Sequence, residues 1–372
     1  MNAWAPGAYQ ESYDNAQLIC GDPSTPLKGI LVCLDSVEAV IEEAIELGCN
    51  MVVAHHPILF RGLKSLTGRN YVERTLIKAI KHDIAIFAAH TNLDNVRTGV
   101  NARICQTIGL QNARILAPKS GLLQKLVSFV PEANLQEVRQ AVFDAGAGVI
   151  GDYDQCSFSH PGSGTFRGNE STNPHVGEKG KLHTEAEARL EVILPAHLSG
   201  AVVSALRKAH PYEEVAFDLY QLENSHPGVG SGMIAELPEA MEEEAFLDHL
   251  KSAFGTPVIR HTELTGKPVR KVAVCGGAGS FLLGKARAAG ADAFVTADYK
   301  YHEFFDAEGS ILIADVGHFE SEQFTINLMA EWLEREFGSS GAQSPQTQGL
   351  PEKFGNFALH LTSIKTNPVK YR

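Results

Sequence analysis

Three short stretches of this 372-residue sequence carry side chains suited to chemistry: His55 and His56 in AHHP, His90 and Asp94 in HTNLD, and His318 and Glu322 in GHFESEQ. Neighbouring residues on a strand point to opposite faces, so adjacent histidines can share a site only at a strand end, where Pro57 turns the backbone. Asp94 supplies an anionic oxygen suited to a divalent cation, or else caps the helix that follows. His318 and Glu322 are four apart at the start of a helix and project from one face. Each piece alone has an ordinary reading as a solvated pair, a cap or an exposed helix pair. Together they offer three imidazoles and two carboxylates, a ligand set common to Zn, Fe, Mn and Ni. Five ligands are too many for one closed site, and a carboxylate such as Glu322 can bridge. The expectation is therefore two divalent metal ions with open water positions.

The elements that must position these groups follow the rhythm of an α/β fold. GILVCLD (29–35) reads as a strand. Ser36 stands where an N-cap would, and Val37, Val40, Ile41, Ala44 and Ile45 share one face of a helix ending near Gly48. MVVAHH (51–56) is the next strand. A helix over roughly 71–83 is expected to bury Val72, Leu76, Ile77 and Ile80, and IAIFAAH (84–90) forms a third strand before the polar turn TNLDN. The same β-α-β-α-β pattern returns after residue 270. It runs through KVAVC (271–275), a helix from Ser280 towards Gly290, AFVTA (293–297), a short polar helix, and ILIADV (311–316) before a long helix. In open α/β sheets ligands sit beyond the carboxyl ends of strands, which is where Asp35, His55, His56, His90, Asp94, Asp298 and His318 fall.

Residues 123–224 have a different order, β-α-β-β-α-β, the ferredoxin-like arrangement, and read as a separate inserted domain. Within them 160–184, rich in Gly, Ser, Asn and Pro, reads as a mobile hairpin or loop. A second loose stretch, 338–353, precedes the closing strand FALHLTSI. The expected domains are 1–122, an insert of 123–225, and 226–372. His90, Asp298 and His302 are candidates to orient ligands or shuttle protons. Asp35 is equally a helix cap. VCGGAGS (274–280) is an incomplete dinucleotide fingerprint and reads as a tight turn. His210, Glu213 and Glu214 in the insert are read as surface or interface groups.

Composition narrows the class. The chain is 44% hydrophobic and 20% charged, with no apolar run long enough for a membrane span and no basic-then-apolar secretory signal, so a cytoplasmic protein is expected. Six scattered cysteines without a CxxC pair fit reduced thiols. A net charge of -12 disfavours an extended nucleic-acid surface but allows a small anionic substrate drawn in by metal ions.

HHPILF, HTNLDN, TADYKYH and DVGHFESEQ, with the opening YDNAQLICGD, resemble the motifs of the GTP cyclohydrolase I type 2 homologue family, the NIF-three-like proteins. The family's opening motif has Trp and Gly where this chain has Tyr13 and Gln17. The resemblance implies that His55, His56, Asp94, His318 and Glu322 hold a dinuclear metal centre, that the insert, through HPYEEVAFDLY (210–220), is a PII/CutA-like domain, and that the chain assembles as a homohexamer. It also implies a metal-dependent hydrolase using a metal-activated water, acting on a small nucleotide such as GTP or on a phosphoester. A non-catalytic metal-binding or regulatory toroid is the alternative.

Overall fold

The computed structural model describes residues 1–337 and 357–372, so the loose stretch 338–353 lies outside the described residues. The chain divides into two compact units, Met1–Ala117 with Val229–Arg372, and Pro118–Gly228.

The larger unit begins with β1 (Leu18–Cys20), β2 (Gly29–Asp35), α1 (Glu38–Glu46) and β3 (Met51–His56). There follow α2 (Tyr71–Lys81), β4 (Ala85–Ala88), α3 (Thr91–Asn95), α4 (Val100–Ile108) and β5 (Gln111–Pro118). β2 is buried along almost its whole length, as a parallel strand covered on both faces must be. α1 is capped by Val37 with no side-chain bond, and the hydroxyl of Ser36, the expected cap, is buried without a partner. α2 starts where the Asn70 side chain accepts from Glu73 N at 2.9 Å. It buries Thr75, Leu76 and Ala79, which leaves Ile80, about a quarter-turn from Ala79, 53% exposed instead of in the core. The segment TNLDN, expected as a turn, is the short helix α3. Its first amide is bonded by the distant Asp14 carboxylate at 2.9 Å, a cap that no local signal announces.

The smaller unit contains β6 (Leu123–Pro131), α5 (Leu135–Asp144), β7 (Ser157–Phe166), β8 (His183–Pro195), α6 (Ser199–Ala209) and β9 (Phe217–Gln221). Its antiparallel sheet has the order β7-β8-β6-β9, with Val138, Val142, Val202 and Leu206 of the helices packed on Leu126, Leu190 and Val192. Residues 160–166, read from sequence as part of a loop, extend β7 and stay in register with β8.

The larger unit resumes with β10 (Gly230–Met241), α7 (Glu243–Phe254), β11 (Arg260–His261), β12 (Val269–Ala278), α8 (Leu283–Ala288) and β13 (Ala293–Ala297). β14 (Leu312–Asp315), α9 (His318–Glu322), α10 (Thr325–Phe337) and β15 (Ala358–Leu361) complete it. The single long helix expected after β14 is thus two helices, and the short polar helix is a 3-10 turn over Tyr301–Ala307. One sheet of this unit has the order β1-β4-β3-β2-β15 and the other β11-β14-β13-β12-β10-β5. β2, β3 and β4 run parallel, as do β12, β13 and β14, so within each sheet these strands end on one edge. Among the described residues no helix is long and apolar enough to cross a membrane.

Leu31 lies fully buried in β2, between β3 and β15. Leu31→Ala is expected to lower stability by about 2–5 kcal/mol, read from the denaturant midpoint of the full chain. An unchanged midpoint would contradict this account of the core.

Candidate metal centre

The carboxyl ends of the parallel strands face a cavity of about 1150 Å3 in the larger unit, whose wall includes Asp35, His56, His90, Asp94, Asp298 and His318. His55 and His56 end β3 and bring their rings to 4.9 Å despite alternating faces. Asp94 comes from α3, and His318 and Glu322 from the two ends of α9. The five residues expected as ligands therefore converge from both sheets. Asp298 follows β13 at a φ of 54°, a strained conformation that aspartate tolerates better than most residues.

Glu322, 3% exposed, lies at the centre. Its Oε2 is 2.9 Å from His56 Nε2, 3.1 Å from His318 Nε2 and 3.8 Å from His55 Nε2. Asp94 Oδ1 is 3.6 Å from His55 Nε2, and both of these atoms are buried without a hydrogen-bond partner. The other ring nitrogens are committed elsewhere. His55 Nδ1 bonds the Ala89 carbonyl at 2.8 Å, His56 Nδ1 bonds Asp35 at 2.8 Å, and His318 Nδ1 bonds Asp298 at 2.7 Å. Each Nδ1 thus donates outward, which turns Nε2 towards Glu322, the arrangement by which outer carboxylates and carbonyls orient imidazole ligands. The Nε2 atoms of His56 and His318 are 3.3 Å apart.

The site suits a cation: convergent ring nitrogens, a shared carboxylate oxygen, and two buried polar atoms with no hydrogen-bond partner. Among the described residues, His55, His56 and Glu322 form a group whose ligand atoms all lie within 4.8 Å of one another.

The electrostatics reflect crowding. Burial, then the neighbouring Glu322, pushes the Asp94 carboxyl up to about 7. Burial alone would lower His56 and His318. Bonds to Asp35 and Glu322 raise the first to about 9, while the Glu322 charge and bonds to Asp298 and Glu322 raise the second to about 11. Burial would likewise raise Glu322, but the charge and hydrogen bond of His318, with the other imidazoles, hold it well below the usual carboxylate range.

The other candidates separate. His90 lines the cavity, and its Nδ1 bonds Asp14 at 2.7 Å. Burial would raise Asp14, yet bonds from His90, Thr91 and Asn15 hold it at about 2. His302 stands apart, exposed on the 3-10 turn against the rings of Tyr301 and Phe305. Asp35 braces His56 and caps nothing.

Sequence reasoning missed Asp14, although it lies within the YDN motif, and Asn101. The Asn101 amide donates to Asp94 O at 3.0 Å while its oxygen accepts from Gly276 N at 3.0 Å, joining two pieces of the site. The GG turn is a matter of space. At Gly277, with φ of 60°, a Cβ would sit 2.6 Å from Glu322 Oε1 and 3.1 Å from the His318 ring.

Two outcomes are expected. Gly277→Ala displaces Glu322 and lowers metal occupancy, measured by elemental analysis of the folded variant, whereas full occupancy would refute the space argument. Because His56 and His318 hold protons well above pH 7, a divalent ion must displace about two protons per chain. Titration calorimetry in buffers of different ionisation enthalpy should show this release, with affinity falling from pH 8 to pH 6, and zero release would sink it.

Comparisons with known proteins give the chain a family. The family described as Duf34/NIF3 (NGG1p interacting factor 3) matches residues 1–345. A Halalkalibacterium halodurans protein called a GTP cyclohydrolase 1 type 2 homolog is 42% identical over 317 residues, 85% of each chain. One of the same name from Bacillus subtilis is 37% identical over 341 residues, covering 90% of this chain and 91% of that one. The crystal structure of a Bacillus cereus protein related to NIF3 superposes with a TM-score of 0.83 at 36% identity, covering 100% of this chain and 96% of that one. With the family model, the relatives and the fold in agreement, the chain belongs to the Duf34/NIF3 family.

Proposed function

We propose that this protein is a dinuclear metallohydrolase whose ions are held by His55, His56, Asp94, His318 and Glu322. The observation that carries this reading is the single Glu322 oxygen shared by imidazoles, beside the unpartnered His55 Nε2 and Asp94 Oδ1. His55 lies 3.6 Å from Asp94, His56 lies 3.3 Å from His318, and Glu322 stands among all three imidazoles. When bound, two divalent ions supply Lewis acidity and shift the ionisation of water towards neutral pH.

The chain's own residues do the rest. Asp35, Asp298 and the Ala89 carbonyl fix the imidazole tautomers. Asp14 holds the His90 Nδ1 proton, which leaves His90 Nε2 to accept or return a proton inside the cavity. The substrate is read as a small nucleotide or phosphoester, with GTP ring opening the reaction suggested by the relatives' name. The domain reading of 1–122 and 226–372 as one NIF-three-like body, with 123–225 as a ferredoxin-like, PII/CutA-like insert, is supported by the sheet order β7-β8-β6-β9. A homohexamer rests on family membership, and a cytoplasmic location is supported by six free thiols.

Metal content of protein purified without chelator, beside His55→Ala and Glu322→Ala, with GTP and phosphoester turnover on the same samples, tests this. About two ions per chain, lost in the variants together with turnover, is the expected result. Two ions without turnover would favour a metal-binding regulatory protein, and wild type without metal would overturn the reading.

A further inference from the structure

The unit Pro118–Gly228 carries a cavity of about 670 Å3, inside the size range of small-molecule sites. It lies on the face of the sheet that the helices leave bare. Leu190, Val192 and Leu194 of β8 turn into the core under α5 and α6, so alternation turns Glu187, Arg189 and Glu191 the other way. The β7–β8 connection folds back to add Gly168, Thr172 and His175 to the wall, and Glu213 secures it by accepting from Asn173 N at 2.8 Å.

Glu187 lines this cavity at only 8% exposure, and among the described residues it forms no ion pair. The nearby cations are committed elsewhere. Arg189 and Lys125 each reach Glu191 at 2.9 Å, and His183 reaches Glu185 at 2.8 Å. Arg167 stands exposed at the rim, as does Glu214. Room for the Glu187 carboxylate is built into the neighbouring strand, because a Cβ on Gly164 would sit 2.0 Å from Oε2.

Beside it the Tyr212 hydroxyl is buried next to the Glu187 carboxylate, and burial, followed by that carboxylate, pushes its ionisation up. Its ring packs at 5.9 Å from Phe166, 6.2 Å from His175 and 5.0 Å from His210. His210 itself is structural: its Nε2 donates to Phe129 O at 3.0 Å and its Nδ1 accepts from Tyr212 N at 3.1 Å.

We propose that this cavity binds an organic cation, an ammonium or guanidinium on a small apolar body, with Glu187 and Tyr212 Oη as polar partners and Phe166 as the aromatic wall, the Phe129 ring being already covered by the Arg189 guanidinium at 5.8 Å. A buried carboxylate without a counter-cation is costly, and aromatic faces add attraction for a desolvated ammonium. A bare metal ion is disfavoured, since no group of metal-ligand atoms gathers here among the described residues.

The test is titration calorimetry of the full-length chain with benzylammonium and agmatine, and with benzyl alcohol and benzoate as neutral and anionic controls. Saturable binding of a cation, absent for benzoate and weakened about tenfold or more by Glu187→Gln, is expected. Tyr212→Phe should weaken it by a smaller factor, and far-ultraviolet circular dichroism and a thermal midpoint equal to wild type verify that both variants are folded. No saturable binding of either cation, benzoate binding as tightly, or unchanged affinity in Glu187→Gln would each overturn the proposal.

Discussion

A carboxylate removed from water must be compensated on every side, and in this fold Glu322 imposes that requirement on everything around it. Its compensation comes from His56 on one sheet and His318 on its own helix, with His55 just beyond hydrogen-bond reach. Those imidazoles are in turn held by Asp35, Asp298 and a carbonyl after β4. The charge therefore ties the carboxyl ends of the parallel strands of two sheets to one point. It also explains why backbone must approach closely at Gly277 and why Asp298 accepts a strained conformation.

The arrangement separates positioning from reactivity. Groups that face outward from the imidazoles carry ordinary hydrogen bonds, while the inward atoms are left either crowded or without partners. A protein that needed these residues only for stability would gain more from pairing each one fully. Leaving Asp94 Oδ1 and His55 Nε2 unsatisfied is a cost that persists where a ligand supplies the missing bonds.

Much of this was legible in the sequence because strands betray themselves by composition. GILVCLD, MVVAHH and AFVTA coincide with β2, β3 and β13 residue for residue, since buried parallel strands are nearly continuous apolar runs. The residues brought together at the cavity were found because their types and strand-end positions pointed to one chemistry. What escaped notice depends on contacts distant in sequence. The helical state of TNLDN rests on Asp14, 77 residues away. Asn101 links Asp94 to Gly276 across 175 residues, and the exposure of Ile80 depends on how α2 is rotated against its neighbour. His302 shows the converse: a suggestive residue at the right place along the chain, turned out to solvent.

The closing strand gives the fold a temporal order. β15 pairs in parallel with β2, and Thr366 donates to Asp35, the same carboxylate that steadies His56. A residue near the start of the site is thus braced by one more than three hundred positions later. During synthesis the ribosome must release the segment beyond residue 358 before this brace exists, so β2 waits with an open edge while the intervening chain emerges. The brace on Asp35, and through it the orientation of His56, therefore arises only after the segment carrying Thr366 has been made and has folded back beside β2.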